Sequence, residues 1–134
     1  MSAKRLKGVD LGDAVTRELK AYQEGIVTEM DNALRRNAKK LRNRLAETSP
    51  KDTGNYSSGW RVKEIESNTL TQPSTYVVHN AKAYQLTHLL ERGHATAGGT
   101  KRVEAIPHIE PARDETEREL LSEVGEAVEQ YGDQ

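Results

Sequence analysis

The chain contains no cysteine, no phenylalanine, a single tryptophan and four prolines in 134 residues. Without cysteine there is no disulfide framework, no thiolate metal site and no cysteine nucleophile, which fits a reducing compartment. No apolar run approaches the ~20 residues that a membrane span requires. The opening stretch "MSAKRLKGVDLGD" has basic residues with no apolar segment behind them, so no secretory signal is expected. These absences predict a soluble, intracellular protein with no membrane contact. The apolar fraction is 34%, and even with the ten glycines added it stays below the ~45–50% of ordinary globular domains. The core must be thin, and a chain this polar completes its burial against copies of itself or a partner.

What is abundant is charge, and it is unevenly placed. Residues 1–51 carry 12 basic and 7 acidic side chains, residues 52–109 carry 6 and 5, and residues 110–134 carry 2 and 9. A basic front and an acidic tail suit head-to-tail packing between subunits through complementary potentials. Two solvated helix faces of opposite sign are the alternative, since exposed pairs are worth little. The length predicts one domain over residues 1–134.

Periodicity predicts an α+β chain: a long N-terminal helix, a small antiparallel sheet, a short helix and a C-terminal helix. Over residues 10–48, Leu11, Val15, Leu19, Tyr22, Ile26, Met30, Leu34, Ala38, Leu41 and Leu45 recur every three or four positions, one apolar stripe. Asp10 is the expected N-cap, with Asp13 as the capping-box acid. Gly25 weakens the middle by roughly 1 kcal/mol and could mark a bend. Such a helix exceeds ~50 Å, so part of it must project or pack on a neighbour. Pro50 and the turn Asp52–Gly54 stop it.

Residues 55–109 read as the sheet region. "WRVKEIES" and "STYVVHN" alternate through Trp60 and Val62, and through Tyr76 and Val78. "AKAYQLTHLLERG" is a short helix closed by Gly93, and "HATAGGTKR" is a flexible loop by composition. "VEAIPHIEP" is a short extended piece. From Pro111, suited to a first helical position, a last helix runs over residues 111–130.

"HLLERGH" invites a metal site, because two histidines and a glutamate lie within seven positions. On a helical wheel, however, Leu86, Leu89 and Leu90 share the core arc while His88 and Glu91 point away. A zinc-protease helix needs histidines at i and i+4, and here the spacing is i, i+3, i+6. A metal-dependent hydrolase using His88, Glu91, His94 and His108 is thus the weaker reading. No metal, cofactor or catalytic set is assigned. "RRNAKKLRNR", residues 35–44, is a basic amphipathic helix without interleaved aromatics. It could follow a nucleic-acid backbone, meet acidic lipid or dock a neighbour's acidic tail, and a solvated face is the ordinary outcome.

Three blocks in order go beyond composition: "SPKDTGNYSSGW", "VVHNAKAYQLTHLLERGH" and "VEAIPHIEPA". Through Pro50, Thr53, Gly54 and Trp60, then Asn80, Tyr84, Leu90, Glu91 and Gly93, then Pro107, His108, Ile109, Pro111 and Ala112, the chain resembles the gene-product-ten-like family of long-tailed bacteriophages and prophages. The resemblance covers about residues 48 to 115, and the first helix matches only in kind. Members are neck, head–tail connection or minor tail-component proteins. The resemblance implies the same α+β fold and no catalysis. It implies a structural virion protein of the neck or of tail completion, a homo-oligomeric ring around the DNA exit path.

Its partners would then be other neck, connector or tail proteins, with non-specific contact to passing DNA. Its place would be the virion, and the bacterial cytoplasm during assembly. A basic-helix nucleic-acid binder unrelated to phage is the other alternative. Arg35, Arg36, Lys39, Lys40, His88, Glu91, His94, Lys101 and Arg102 are the expected subunit- or partner-contacting residues. The loop over residues 93–102 is a candidate to order against a neighbour.

Overall fold

The fold comes from a computed structural model that describes residues 3–51, 54–95, 99 and 101–132. Asp52 and Thr53 of the expected turn, and positions 96–98 and 100 of the expected loop, lie outside the described residues. The architecture is α+β, as the periodicity predicts. A helix α1 (Ala3–Thr48) leads through a 3-10 turn (Ser57–Gly59) into an antiparallel hairpin, β1 (Trp60–Ile65) and β2 (Thr75–Asn80). A short α2 (Leu86–Arg92) follows, then a two-residue ladder of β3 (His94–Ala95) with β4 (Arg102–Val103), and finally α3 (Ile109–Gly132).

Helix α1 starts earlier than expected. Asp10 and Asp13 lie inside it rather than capping it, because the preceding lysines, arginine and leucine are good helix formers and a lone glycine is tolerated. It ends where predicted: the Ser49 N–H donates to the Leu45 carbonyl at 2.9 Å and Pro50 follows. Gly25 marks no break, since α1 is continuous through it. Its missing side chain serves a close approach instead: a Cβ there would overlap the Tyr131 hydroxyl of α3.

The core is as thin as the composition implies. Leu45, Tyr56, Trp60, Ala83 and Ala112 form it, with Leu41, Val78, Leu90 and Ile109 at its edge. Register pairs Trp60 with Asn80 and Val62 with Val78, so Trp60, Val62, Tyr76 and Val78 share one sheet face. Trp60 is 5% exposed, and its indole N–H donates to Ser49 Oγ at 2.8 Å. Tyr56 meets Trp60 and the His108 ring edge-on, each at 5.5 Å between centroids.

Helix α2 is shorter than the pattern suggested. The Asn80 side-chain oxygen accepts the N–H groups of Lys82 and Ala83 at 3.1 and 2.8 Å, an Asx turn that holds residues 81–85 out of the helix. Leu90 packs on the core, but Leu86 and Leu89, expected beside it, are exposed. Gly93 stops the helix as predicted, at φ 73°.

Helix α3 begins at Ile109, two residues before Pro111. The reason is Glu91, which the wheel placed outward and which is in fact turned inward, its side chain 16% exposed. The wheel sees only apolar and polar faces, whereas an uncapped helix start lies on this side. The Glu91 carboxylate accepts the backbone N–H groups of His108, Ile109 and Glu110 at 2.8, 2.9 and 2.8 Å. Pro111 has no N–H to leave unpaired, so one carboxylate satisfies nearly the whole first turn.

Two stability predictions result. Trp60→Ala should cost about 3–5 kcal/mol, a large share of the stability of a small domain. Trp60→Phe, which loses chiefly the bond to Ser49, should cost about 1 kcal/mol. Urea denaturation followed by circular dichroism measures both. For Glu91, burial pushes the carboxyl pKa up, and the three backbone donors with His108 outweigh it, holding it below the ordinary value. A depressed carboxylate pKa gives stability that is present above the unfolded value of about 4.3 and lost as pH falls through the folded one. Glu91→Gln should therefore destabilise by about 1–3 kcal/mol at pH 7, and the gap to the native chain should narrow in acid. A gap that is constant with pH would show that the charge is not what caps α3.

Candidate functional site

Helix α1 has 46 residues, about 69 Å of helix. Helix α3, with 24 residues, spans about 36 Å and lies antiparallel along the C-terminal half of α1. Thr116 and Glu119 meet Arg44, Glu123 meets Asn37, and Tyr131 meets Tyr22 and Gly25. Beyond Tyr22 the α1 stripe continues with no described element over it. Leu11, Val15 and Leu19 are 70%, 59% and 65% exposed. The spacing Leu11–Tyr22–Ala33 and Val15–Ile26–Asn37 repeats every 11 residues, close to three full helical turns, which keeps one face aligned along the helix. The face that α3 covers at Ala33 and Asn37, both almost fully buried, is thus the face left bare in the N-terminal arm.

The basic segment finds its acids within the chain. Arg36 pairs with Glu123, its Nε donating at 2.8 Å. Lys40 lies 3.5 Å from Glu119, and Arg44 bonds Glu119 at 2.7 Å and Thr116 at 2.8 Å. Buried Asn37 donates to the Ala33 carbonyl at 2.8 Å and to Glu123 at 2.7 Å. The Arg36 contact holds the Glu123 carboxyl below its ordinary pKa, and Arg44 does the same for Glu119. The charge asymmetry expected to join one subunit to the next is therefore met, on this face, by α1 against α3 of the same chain, because the loops return the acidic tail along the basic helix.

Arg35 turns toward the hairpin, 3.4 Å from Asp31 and 3.2 Å from Glu64, with its guanidinium 5.9 Å from the Tyr76 ring centre. Asp31 also accepts the Ser74 N–H at 2.9 Å and the Tyr76 hydroxyl at 3.1 Å. Burial, then the Asp31 and Glu64 hydrogen bonds, push the Tyr76 phenol to about 12, so it remains a donor. Asp31, Asn37 and Glu123 were not singled out in the sequence. A polar residue inside an apolar stripe, as Asn37 is, was the available signal.

The four members of the metal reading do not converge. His88 is exposed on α2, and His94 sits in β3 opposite Val103. His108 is buried and committed: the Tyr56 hydroxyl is 2.7 Å from Nε2, and the Ile106 carbonyl is 2.8 Å from Nδ1. A carbonyl only accepts, so Nδ1 carries a hydrogen, and in the neutral ring Nε2 accepts the hydrogen bond that the Tyr56 hydroxyl donates. Burial, then the Glu91 charge, raise the Tyr56 phenol to about 12, which keeps that donor protonated. Among the described residues no three histidine or carboxylate side chains group around a common point. Of the remaining expected residues, Arg102 donates to the Arg92 carbonyl at 2.8 Å and ties the small ladder to α2. Lys39 and Lys101 are exposed and make no ion pair among the described residues.

The space between the hairpin, α2 and α3 is an open apolar groove of 530 Å³, lined by Leu41, Val78, His88, Ile109 and Arg113 among others. It adjoins a second hollow of 230 Å³ that shares Leu41, Val78 and Arg113 and adds Leu34 and Leu120. The arm and this groove are thus two apolar surfaces that the described residues leave uncovered. A further hollow of 620 Å³ lies on another side of the core, between Pro50, Tyr56, Leu86, Leu90 and Ile106.

A family model described as "Bacteriophage HK97-gp10, putative tail-component" matches residues 13–93. No curated protein and no solved structure matches the chain. The matched stretch takes in most of α1, which the sequence motifs had tied to the family only in kind, together with the blocks around Trp60 and Glu91. The Pro107–Ala112 block lies beyond it. The match covers more than half of the 134 residues, and the chain belongs to this family of bacteriophage tail components.

Proposed function

We propose that this tail component acts at the neck or in tail completion, where copies of the chain pack side by side into a ring through the projecting arm of α1. The reading is supported above all by the bare stripe of Leu11, Val15 and Leu19. Burying a leucine or valine side chain is worth roughly 1.5–3 kcal/mol, so an aligned row of them on a projecting helix favours association with a like-shaped apolar surface. A ring needs each subunit to offer two different surfaces, one to each neighbour, and the arm is one of them.

In this reading the assembled protein belongs to the virion, sits against other neck, connector or tail proteins, and is made in the bacterial cytoplasm. Its role is structural, without catalysis or cofactor. Lys39, His88, His94 and Lys101, the proposed contact residues whose side chains make no hydrogen bond or ion pair among the described residues, are those left to meet another subunit or the DNA passing through. Arg36 and Lys40 serve the α1–α3 seam first.

Replacing Leu11, Val15 and Leu19 together by glutamate tests the reading. The stripe is solvated in the single chain and glutamate forms helix well, so the melting temperature of the subunit should change by no more than about 2 °C. Assembly should be lost. In the parent phage the same alleles should give particles in which mass spectrometry of purified virions no longer finds the protein. Incorporation at wild-type level would remove the arm from the contact.

A further inference from the structure

We infer that the groove between the hairpin, α2 and α3 is the receptor for the α1 arm of a second copy of this chain. The inference rests on the ring reading above and supplies the second of its two surfaces.

Three observations choose this occupant. The first is length. The bare arm stripe, from Leu11 to Leu19, runs over 8 helical steps, and the α3 wall of the groove, from Ile109 to Leu120, runs over 11. At about 12 Å and about 16.5 Å, the groove is long enough to hold the whole stripe. The second is composition. The arm offers two leucines and a valine in a row, and the groove offers Leu34, Leu41, Val78, Ile109 and Leu120, so one apolar row meets another without burying an unpaired backbone group.

The third is charge. The larger hollow has no acidic residue on its wall, the smaller one has Glu117, and the two share Arg113. Among the described residues the ion pair of Arg113 is with its neighbour Asp114, at 3.6 Å and with both side chains about half exposed. On the arm, Glu18 falls beside Leu11, Val15, Leu19 and Tyr22 on the helical wheel, is exposed, and makes no ion pair among the described residues. An arm seated with its stripe down brings Glu18 to the groove edge, where Arg113 waits for a carboxylate. Because stripe and groove are different surfaces of one chain, the contact is heterologous and propagates from copy to copy until it closes.

The test uses the full chain and a charge exchange. Sedimentation velocity over a concentration series should show that Glu18→Arg and Arg113→Glu each weaken self-association about tenfold, while circular dichroism stays unchanged. The double variant should regain the native association, because the pair is re-formed with its signs reversed. Since the chain has no cysteine, Val15→Cys combined with His88→Cys should give a ladder of oligomers with a short bismaleimide. Normal assembly that ignores both charge changes, or that the double variant fails to restore, overturns the groove assignment and leaves the ring reading standing. Efficient cross-linking by Val15→Cys alone overturns it as well, in favour of arm against arm. A native chain that is monomeric at every concentration overturns both.

Discussion

Three consecutive backbone N–H groups, those of His108, Ile109 and Glu110, have no carbonyl to bond at the start of α3, and the Glu91 carboxylate accepts all of them. Much of the fold hangs on that arrangement. It fixes the end of α2 against the beginning of α3 and brings His108 under Tyr56, which stacks edge-on with Trp60. It also aims α3 back along α1. A charge-assisted contact of this kind is among the stronger polar interactions a small domain can make, and with so few large apolar side chains inside, its share of the total is correspondingly high.

Once α3 is aimed, its acidic side meets the basic side of α1. Exposed ion pairs are individually weak, so the seam depends more on how closely the helices approach. Gly25 admits Tyr131, and Ala33 and Asn37 are nearly fully buried. Asn37 adds direction, since its amide bonds both its own helix and Glu123. A one-turn slip of α3 would separate Asn37 from Glu123 and Gly25 from Tyr131 together, so the register is held at both ends of the overlap.

The same economy accounts for what is left outside. The few large apolar side chains are divided between a small core and surfaces that the single chain does not cover, the arm stripe and the groove. In the proposed ring the arm would be the inserting edge and the groove the receiving face. Trp60 lines the groove as well as centring the core, so the groove and the core share one anchoring side chain.

By itself the sequence determined the α+β class, the order of the three helices and the hairpin, the stop at Pro50, the C-terminal glycine of α2, the alternation of Trp60 and Val62 against Tyr76 and Val78, and the family, but not the small β3–β4 ladder, whose residues read as a flexible loop. These rest on local periods and on residues with strong backbone preferences, which neighbours in sequence suffice to enforce. It also showed that α1 is too long to be covered by so small a domain. Only the tertiary structure decided what the polar residues do. Glu91 reads as outward on a wheel and proves to be a cap, because its partner is a helix start 17 residues further on. The basic run reads as a partner surface and meets α3 of its own chain, because charge complementarity does not say which acid is nearest. Gly25 reads only as a weak point of the helix, and the structure adds that it is a socket for Tyr131, because a missing side chain looks the same in sequence whether or not it admits a ring. Long-range electrostatics and close packing depend on distances that periodicity does not contain.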